Sequence, residues 1–209
     1  MLKRIFNRAG DQFLMQDCGG GPGWHFFEFP SGEWQRSLDL GVVKDVVYSP
    51  DELQLWAVGG IDETNGFRGH LNVFDTHAGR LPKCVPAVDP QYYSGIRVTP
   101  DGKSIVIIRG KSLAVLDAST LKQTKIVEIA TKWDMYQPFI ALTPDSRRLA
   151  ISSDSDIGIF IVDCLQWKVV DWLPGHPDSC VRCLAYSPCG KYLASGSEDQ
   201  EVKVWQVNA

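Results

Sequence analysis

A short turn motif recurs along the chain and constrains its fold more than any other feature. Its four copies are Ser49-Pro50-Asp51-Glu52, Thr99-Pro100-Asp101-Gly102, Thr143-Pro144-Asp145-Ser146 and Ser187-Pro188-Cys189-Gly190. The prolines are 50, 44 and 44 residues apart, and each copy lies between two apolar stretches. Proline presets φ for the first central position of a tight turn, and Asp or Gly suits the positions that follow. The pattern predicts one β-hairpin per copy, in a chain that is built of repeats.

Each repeat contains a further apolar strand with a polar residue at its end. These end residues are Glu28, Asp75, Asp117, Asp163 and Gln206, and they are 47, 42, 46 and 43 residues apart. In the first four repeats a turn and one more strand follow. Four strands per unit at a period in the low forties are typical of the blades of a β-propeller. The predicted blades cover approximately 1–40, 41–88, 92–129, 137–172 and 175–209.

The fifth unit closely resembles a WD repeat. The resemblance rests on Gly175-His176, Val181 to Pro188, Leu193 to Ser197, Asp199 and Val202 to Trp205. The other units share the turn, the strand order and the terminal Asp or Glu, but they lack the Gly-His pair and the tryptophan, so they resemble degenerate WD repeats. The resemblance implies an all-β fold, a β-propeller of four-stranded antiparallel WD-type blades that forms a single domain over 1–209.

The two ends of the chain raise the question of ring closure. If Leu2 to Phe6 is the innermost strand of blade one, then blades one to four are complete and blade five ends after its third strand, Glu201 to Gln206. We therefore expect about five blades in an open or incomplete ring. In the alternative, Leu2 to Phe6 leaves blade one and pairs beside Glu201 to Gln206, which closes a five-bladed ring. An exposed last edge would be a template for self-association.

Four polar residues of the fifth unit match a buried hydrogen-bonded set of WD repeats. The resemblance implies that Asp199 and Ser195 contact the two imidazole nitrogens of His176, and that Ser195 also accepts the indole proton of Trp205. Such a fully satisfied chain of polar groups fixes the geometry between strands. A catalytic Ser-His-Asp interpretation is disfavoured because the sequence has no nucleophile elbow and no oxyanion loop. We therefore predict a structural role for the set and no catalytic residues.

A metal centre and a cofactor site are also disfavoured. His176, Cys180, Cys183 and Cys189 occur in one short segment, and zinc uses such ligands. However, Cys183 and Cys189 belong to opposite ends of one predicted strand, too far apart for one tetrahedral centre. The glycine run 19–23 lacks the Lys-Ser/Thr and the helix that follow a phosphate-binding loop. The sequence predicts no metal ion and no cofactor.

Strand order places several loops on one face of the predicted propeller. The long insertion Gly59–Gly69 lies on the same side as the interblade loops Asp89–Ser94 and Ala130–Gln137. These loops carry an arginine and four large aromatic residues, which are typical of protein contact surfaces: Arg68, Tyr92, Tyr93, Trp133 and Tyr136. We predict that this set, the loop-face set, binds a protein or peptide partner.

The sequence therefore favours a non-catalytic WD-repeat scaffold for protein–protein interaction. One alternative is a propeller hydrolase or metal-dependent enzyme with carboxylates at the channel mouth, for which Asp62, Glu63, Asp89 and Asp134 are candidates. A further alternative is a truncated remnant of a larger WD-repeat protein. Alanine at Trp133 and Tyr136 would discriminate, because it should abolish partner capture by a scaffold and leave the fold intact.

Charge and composition exclude other classes of function. The net charge is −4, with 21 Lys and Arg against 25 Asp and Glu, and the basic residues are scattered. A nucleic-acid groove needs a basic stripe, so we predict no nucleic-acid partner. No apolar run reaches the length of a membrane span, and Met1 to Phe13 lacks the apolar core of a signal peptide. We therefore expect no membrane association, a cytoplasmic location and six reduced cysteines.

Overall fold

The chain folds into small antiparallel β-sheets. The computed structural model describes residues 4–7, 9–16, 23–40, 43–59, 70–77, 83–86, 93–131, 135, 138–152, 158–176 and 179–207. These residues form nineteen strands and no helix. The strands belong to five sheets, one after another along the chain, and each sheet is an antiparallel meander. This is the blade architecture of a β-propeller, as the sequence predicted.

Four sheets have four strands and the fifth has three. The first sheet comprises β1 (Arg4–Phe6), β2 (Gln12–Gln16), β3 (Gly23–Glu28) and β4 (Trp34–Asp39), and the second β5 (Asp45–Tyr48), β6 (Gln54–Val58), β7 (His70–Asp75) and β8 (Lys83–Pro86). The third comprises β9 (Tyr93–Val98), β10 (Ser104–Arg109), β11 (Ser112–Asp117) and β12 (Gln123–Glu128). The fourth comprises β13 (Phe139–Leu142), β14 (Arg148–Ser152), β15 (Ile159–Asp163) and β16 (Lys168–Leu173). The fifth comprises β17 (Val181–Tyr186), β18 (Tyr192–Ser197) and β19 (Val202–Gln206).

The first strand remains in the first sheet. β1 pairs with β2 in a register that sets Arg4 opposite Met15 and Phe6 opposite Phe13. The alternative in which Leu2 to Phe6 leaves blade one and pairs beside Glu201 to Gln206 is therefore wrong. Within the described residues β19 pairs with β18 and forms the outer edge of its sheet. The expectation that the five blades form an open or incomplete ring stays a prediction.

The proline motif forms the turn between the first two strands of a blade. In three copies the Ser or Thr hydroxyl donates to the Asp carboxylate two residues later, at 2.5 Å from Ser49, 2.6 Å from Thr99 and 2.7 Å from Thr143. The same hydroxyl oxygen accepts the backbone N–H of the next strand, for example that of Ser104 at 3.0 Å. The fourth position has a positive φ in all four copies, between 60° and 72°. Gly102 and Gly190 take this conformation without strain, whereas Glu52 and Ser146 adopt it against their intrinsic preference.

The residue at the end of the third strand organises a second turn. The Asp117 carboxylate accepts the backbone N–H groups of Ser119 at 3.1 Å and Thr120 at 2.8 Å, together with both of their hydroxyl groups. The equivalent Asp163 accepts the backbone N–H groups of Leu165 at 2.8 Å and Gln166 at 2.9 Å. A carboxylate that accepts several backbone N–H bonds fixes an Asx-type turn, which explains why this position is polar after an apolar strand.

The described residues separate into two compact units, Met1–Ile96 and Arg97–Ala209. In the first unit, apolar side chains of the first and second sheets form one buried cluster, to which Trp24, Phe26, Leu55 and Phe74 contribute. Among the described residues of the second unit, two further clusters are seen. One joins the third and fourth sheets through Leu113, Val115, Leu149 and Val162, among others. The other joins the fourth and fifth sheets, and its members include Ile159, Ile161 and Leu193.

Candidate functional site

The histidine of the Gly-His pair lies in the connection between β16 and β17. Gly175 precedes it with a φ of 59°, a conformation that glycine adopts without strain. The His176 side chain is fully buried. Its Nδ1 lies 2.7 Å from the carboxylate of Asp199, and its Nε2 lies 3.0 Å from the hydroxyl of Ser195. Both ring nitrogens therefore have a partner.

The hydrogen-bonded set continues through β18 into β19. Ser195 is fully buried in β18, and its hydroxyl oxygen accepts the indole N–H of Trp205 at 3.0 Å. The neutral imidazole tautomer with its proton on Nδ1 satisfies every member, since Nδ1–H donates to Asp199 and the Ser195 hydroxyl donates to Nε2. The structure thus brings together the four residues that the sequence singled out. The interblade connection and two strands are tied to one another by these bonds.

The same geometry makes the set a poor catalyst. A nucleophilic serine must contact a substrate, but Ser195 has no exposed surface and shares its oxygen with Trp205. The Asp199 carboxylate lies at the surface end of the set. Burial raises the pKa of this carboxyl, but the backbone N–H of Glu201 and the His176 imidazole outweigh it and hold the pKa below its ordinary value. Asp199 is therefore ionised at neutral pH and orients the imidazole.

One group of side chains has the proximity that metal binding requires. Ligand atoms of His176, Asp199 and Glu201 lie within 4.8 Å of one another, and both carboxylates are exposed. His176 already uses both ring nitrogens, so it has no free lone pair to offer an ion without breaking its bond to Asp199 or Ser195. Cys180, Cys183 and Cys189 do not join His176 in a cluster of this kind within the described part of the chain.

A cleft of about 440 Å³ opens between the fourth and fifth sheets of the second unit. It lies at the proline turns, and its wall includes Asp145, Arg147, Arg148, Cys189 and Lys191. Arg148 forms a largely buried ion pair with Asp163 at 2.5 Å, whereas the Arg147–Asp145 pair at 3.8 Å is exposed. Cations and carboxylates both line the wall.

Cys189 occupies the place of a turn carboxylate. Its Sγ lies 3.3 Å from the Ser187 hydroxyl, in the position where Asp51, Asp101 and Asp145 accept the hydroxyl bond in the other copies. The hydrogen bond from Ser187 and then the backbone N–H of Lys191 lower the pKa of the exposed Cys189 thiol. The turn therefore favours a thiolate for the same reason that it favours a carboxylate.

The loop-face set falls mostly on residues outside the described ranges. Arg68, Tyr92, Trp133 and Tyr136 lie outside them, as do the alternative carboxylates Asp62, Glu63, Asp89 and Asp134 and most of the glycine run. Tyr93 is described and is buried, which does not favour direct contact with a partner. Its predicted role in partner binding stays a prediction. β9 begins at Tyr93, so this residue lies in the first strand of the third sheet and not in an interblade loop, whereas the sequence analysis placed it in the loop Asp89–Ser94.

The cleft and its ion pair were not predicted from the sequence. A local signal for the pair exists, since Arg148 lies two residues after a proline turn and Asp163 ends the third strand of the same blade. These residues face each other because β14 and β15 are antiparallel, which sets Arg148 opposite Asp163 in the ladder. The cleft itself depends on the packing of two sheets, and no local pattern reports that.

Comparison with known proteins agrees with the blade architecture. Residues 167–206 match the family model described as "WD domain, G-beta repeat". The chain is 26% identical over 175 residues to "WD repeat-containing protein AAC3" of Dictyostelium discoideum, which covers 80% of this chain and 34% of that protein. It is 31% identical over 116 residues to the "Serine-threonine kinase receptor-associated protein" of Gallus gallus, which covers 54% of this chain and 31% of that protein.

A solved structure shows the same fold at low sequence similarity. The hydrazine synthase of Kuenenia stuttgartiensis superposes with a TM-score of 0.74 and 19% identity, over 93% of this chain and 54% of that one. At this identity the likeness concerns the fold alone. The sheets have the architecture of a β-propeller, and the matched repeat and the curated relatives support membership of the WD-repeat family. It spans about a third of the length of the two curated relatives named above.

Proposed function

We propose that this chain is a non-catalytic scaffold that binds a protein or peptide partner. The observation that carries the proposal is the closed hydrogen-bonded set of the fifth sheet. His176 and Ser195 are fully buried and use their polar atoms on each other, Asp199 and Trp205, so these residues brace strands. A rigid sheet framework that displays loops is suited to recognition, because binding residues on loops need a scaffold that positions them.

Relatives support this proposal at the level of class. The Gallus gallus protein is named for its association with a receptor serine-threonine kinase, and the Dictyostelium discoideum protein is named for its WD repeats. We place the partner surface on the loop-face set, as the sequence predicted, since an arginine and large aromatic side chains on neighbouring loops are typical of contact hot spots. Tyr93 is left out of this surface because it is buried.

The experiment is quantitative co-purification of partners from cells that express tagged variants. Trp133→Ala combined with Tyr136→Ala should abolish capture of any partner that the wild-type chain enriches. Trp34→Ala is the matched control, because Trp34 is an exposed tryptophan at the start of an outer strand, next to the turn between strands three and four and so at the end of the blade opposite to the interblade loops. Capture that is unchanged in the double variant contradicts the site.

A second pair of substitutions separates the site from the function. Arg147→Ala combined with Lys191→Ala alters the cleft between the fourth and fifth sheets. If this pair abolishes capture and the loop-face pair does not, the scaffold function stands and its site moves to the cleft. The scaffold proposal itself fails if the wild-type chain enriches no protein above an unrelated tagged control.

A further inference from the structure

The sheets of this chain have two distinguishable faces. We call the end position the last residue of the third strand, which is Glu28, Asp75, Asp117, Asp163 or Gln206. The back face carries the side chains two and four residues before the end position. The front face carries the side chain of the residue immediately before the end position. It also carries the side chain of the second-strand residue that pairs with that residue. Successive side chains of a strand point to opposite faces, so the assignment follows from the ladder registers.

At the described interfaces, the back face of one sheet packs on the front face of the next. Within the first unit, Trp24 and Phe26 on the back of the first sheet share a cluster with Leu55 and Phe74 on the front of the second. In the second unit, Leu113 and Val115 on the back of the third sheet belong to one buried cluster with Leu149 and Val162 on the front of the fourth. Ile159 and Ile161 on the back of the fourth sheet pack in a further cluster with Leu193 and Trp205 on the front of the fifth.

The back face of the fifth sheet departs from this rule. The eight back-face residues of the first four sheets are between 0% and 3% exposed: Trp24, Phe26, Leu71, Val73, Leu113, Val115, Ile159 and Ile161. In the fifth sheet the same two positions are Val202 and Val204, which are 73% and 66% exposed. Tyr192 and Ala185 lie on the same face and are exposed too. An apolar face that is buried in every other blade is here open to solvent.

The front face of the first sheet is open in the complementary way. Phe27 and Phe13 hold its front positions, and Phe6 extends the row onto β1 at 50% exposure. The ring centroids of Phe6 and Phe13 are 5.7 Å apart and those of Phe13 and Phe27 are 5.1 Å apart, so the three rings form a continuous aromatic surface. Phe13 and Phe27 are only partly buried, whereas the equivalent residues are buried in the next three sheets: Leu55, Phe74, Ile105, Leu116, Leu149 and Val162.

We propose that the back face of the fifth sheet binds the front face of the first sheet in a second copy of this chain, head to tail. At every described interface a back face is covered by a front face, and the first sheet carries the front face whose apolar row remains partly exposed. The contact would bury Val202 and Val204 against the Phe6–Phe13–Phe27 row, as the internal interfaces bury branched aliphatic side chains. Among the described strands β19 forms the outer edge of this sheet, beside this face, and edge strands promote such association.

Head-to-tail contacts are heterologous, and this property allows a sharp test. Each copy has one exposed back face, on the fifth sheet, and one partly exposed front face, on the first sheet, so contacts close into a ring or continue as a chain. Val204→Lys inactivates the back face alone, and Phe6→Lys inactivates the front face alone. Neither variant can associate with itself, but a mixture retains one intact front face and one intact back face. The mixture should therefore form a one-to-one heterodimer and nothing larger.

Sedimentation velocity and light scattering over a wide range of concentrations measure the result. We expect a wild-type mass above the 23.3 kDa of one chain, monomers for each variant alone, and a dimer for the mixture. Leu53→Lys is the matched control, because Leu53 is an exposed apolar residue of a turn that belongs to neither face, and this variant should associate as the wild type does. The heterodimer also shows that both variants are folded, since an unfolded chain would offer no sheet face.

Three results would overturn the proposal. The first is a wild-type chain that stays monomeric at all concentrations. The second is a Phe6→Lys variant that associates alone as strongly as the wild type, because this would show a contact between two back faces. The third is a mixture that remains monomeric while both variants unfold cooperatively at the wild-type temperature.

Discussion

At the scale of single residues, similar hydrogen bonds are made by different chemical groups. The hairpin turns place an anion acceptor next to a Ser or Thr hydroxyl, and Asp supplies it at positions 51, 101 and 145. The fourth turn places a cysteine there, and the same hydroxyl and backbone donors lower the pKa of its thiol. Cys164 in the core shows the opposite effect, since burial raises the pKa of its thiol to about 12.

This contrast predicts how fast the two cysteines react. Because the thiolate is the nucleophile, Cys189 should be alkylated by iodoacetamide at neutral pH at least tenfold faster than Cys164. Peptide mass spectrometry of a time course measures both rates in the folded chain. Ser187→Ala removes the hydroxyl donor, so it should slow the alkylation of Cys189 and leave the alkylation rate of Cys164 unchanged. Equal rates at the two thiols would contradict the role of the turn.

The buried serine of the WD-type set gives a second prediction at this scale. Ser195→Ala leaves His176 Nε2 and the Trp205 indole N–H without a partner inside the protein. We expect the free energy of unfolding to fall by about 3 kcal/mol, since each buried unsatisfied group costs about 1–3 kcal/mol. Urea unfolding followed by circular dichroism measures the loss. Ser197→Ala in the same strand removes bonds to Asp199 at the surface but leaves no fully buried polar group without a partner, so it should cost much less. A similar loss in the two variants would argue against the network.

At the scale of strands and turns, polar end residues define where each strand stops. The Ser119 hydroxyl, the backbone N–H and hydroxyl of Thr120 and the backbone N–H of Ser119 together lower the pKa of Asp117 to about 2. The outer strand that follows shifts its register by a bulge at the equivalent place in three sheets, at Phe26/Phe27, Val115/Leu116 and Ile161/Val162. Turn and bulge together set the outer strand in the same way in each of these blades.

The lowered pKa of Asp117 predicts the direction of a pH effect. Since the folded pKa is below the ordinary value of 3.8, the carboxylate stabilises the fold above pH 3.8. This contribution is lost as the pH falls from 3.8 through about 2. An NMR titration of the Asp117 side-chain carbonyl carbon should give a midpoint near 2. Ser119→Ala should move that midpoint upward, because it removes the largest stabilising bond of the ionised form. A wild-type midpoint close to 3.8 would show that the turn does not hold the carboxylate.

At the scale of the molecule, the fate of an apolar side chain depends on the sheet that covers it. Val115 and Val204 are the same residue type at the same position of the repeat, two residues before the end of the third strand. Val115 is buried against the fourth sheet, whereas Val204 is exposed. The same residue type at the same repeat position is therefore a core residue in one blade and a surface residue in another.

This pair provides a matched prediction of stability. Val115→Ala should lower the free energy of unfolding by about 2 kcal/mol, because it removes buried methyl groups and leaves a cavity. Val204→Ala should change it by less than about 0.5 kcal/mol in dilute solution, where chains do not associate. Chemical unfolding of both variants at low concentration measures the difference. Equal losses would mean that Val204 is covered within the single chain.

Much of the fold could be predicted from local patterns. The proline turns, the polar end residues and the alternation of apolar side chains located nearly every strand, although β9 begins within the predicted loop Asp89–Ser94. The hydrogen-bonded set of His176, Ser195, Asp199 and Trp205 was also identified in advance, from the spacing of a WD repeat. The burial of Tyr93 and the cleft beside Cys189 were missed, because both arise from packing between elements that are distant in the sequence.

The amino-acid order alone was sufficient for the strands, the turns and the membership of each strand in a blade, since these depend on φ preferences and hydrogen bonds between residues a few positions apart. Tertiary structure was needed to show that β1 stays in the first sheet, that Arg148 meets Asp163 inside a cleft, and that one back face in five is open to solvent. Burial is a property of what lies on the other side of a sheet. A strand of Val and Ile looks the same in sequence whether or not a neighbouring sheet covers it.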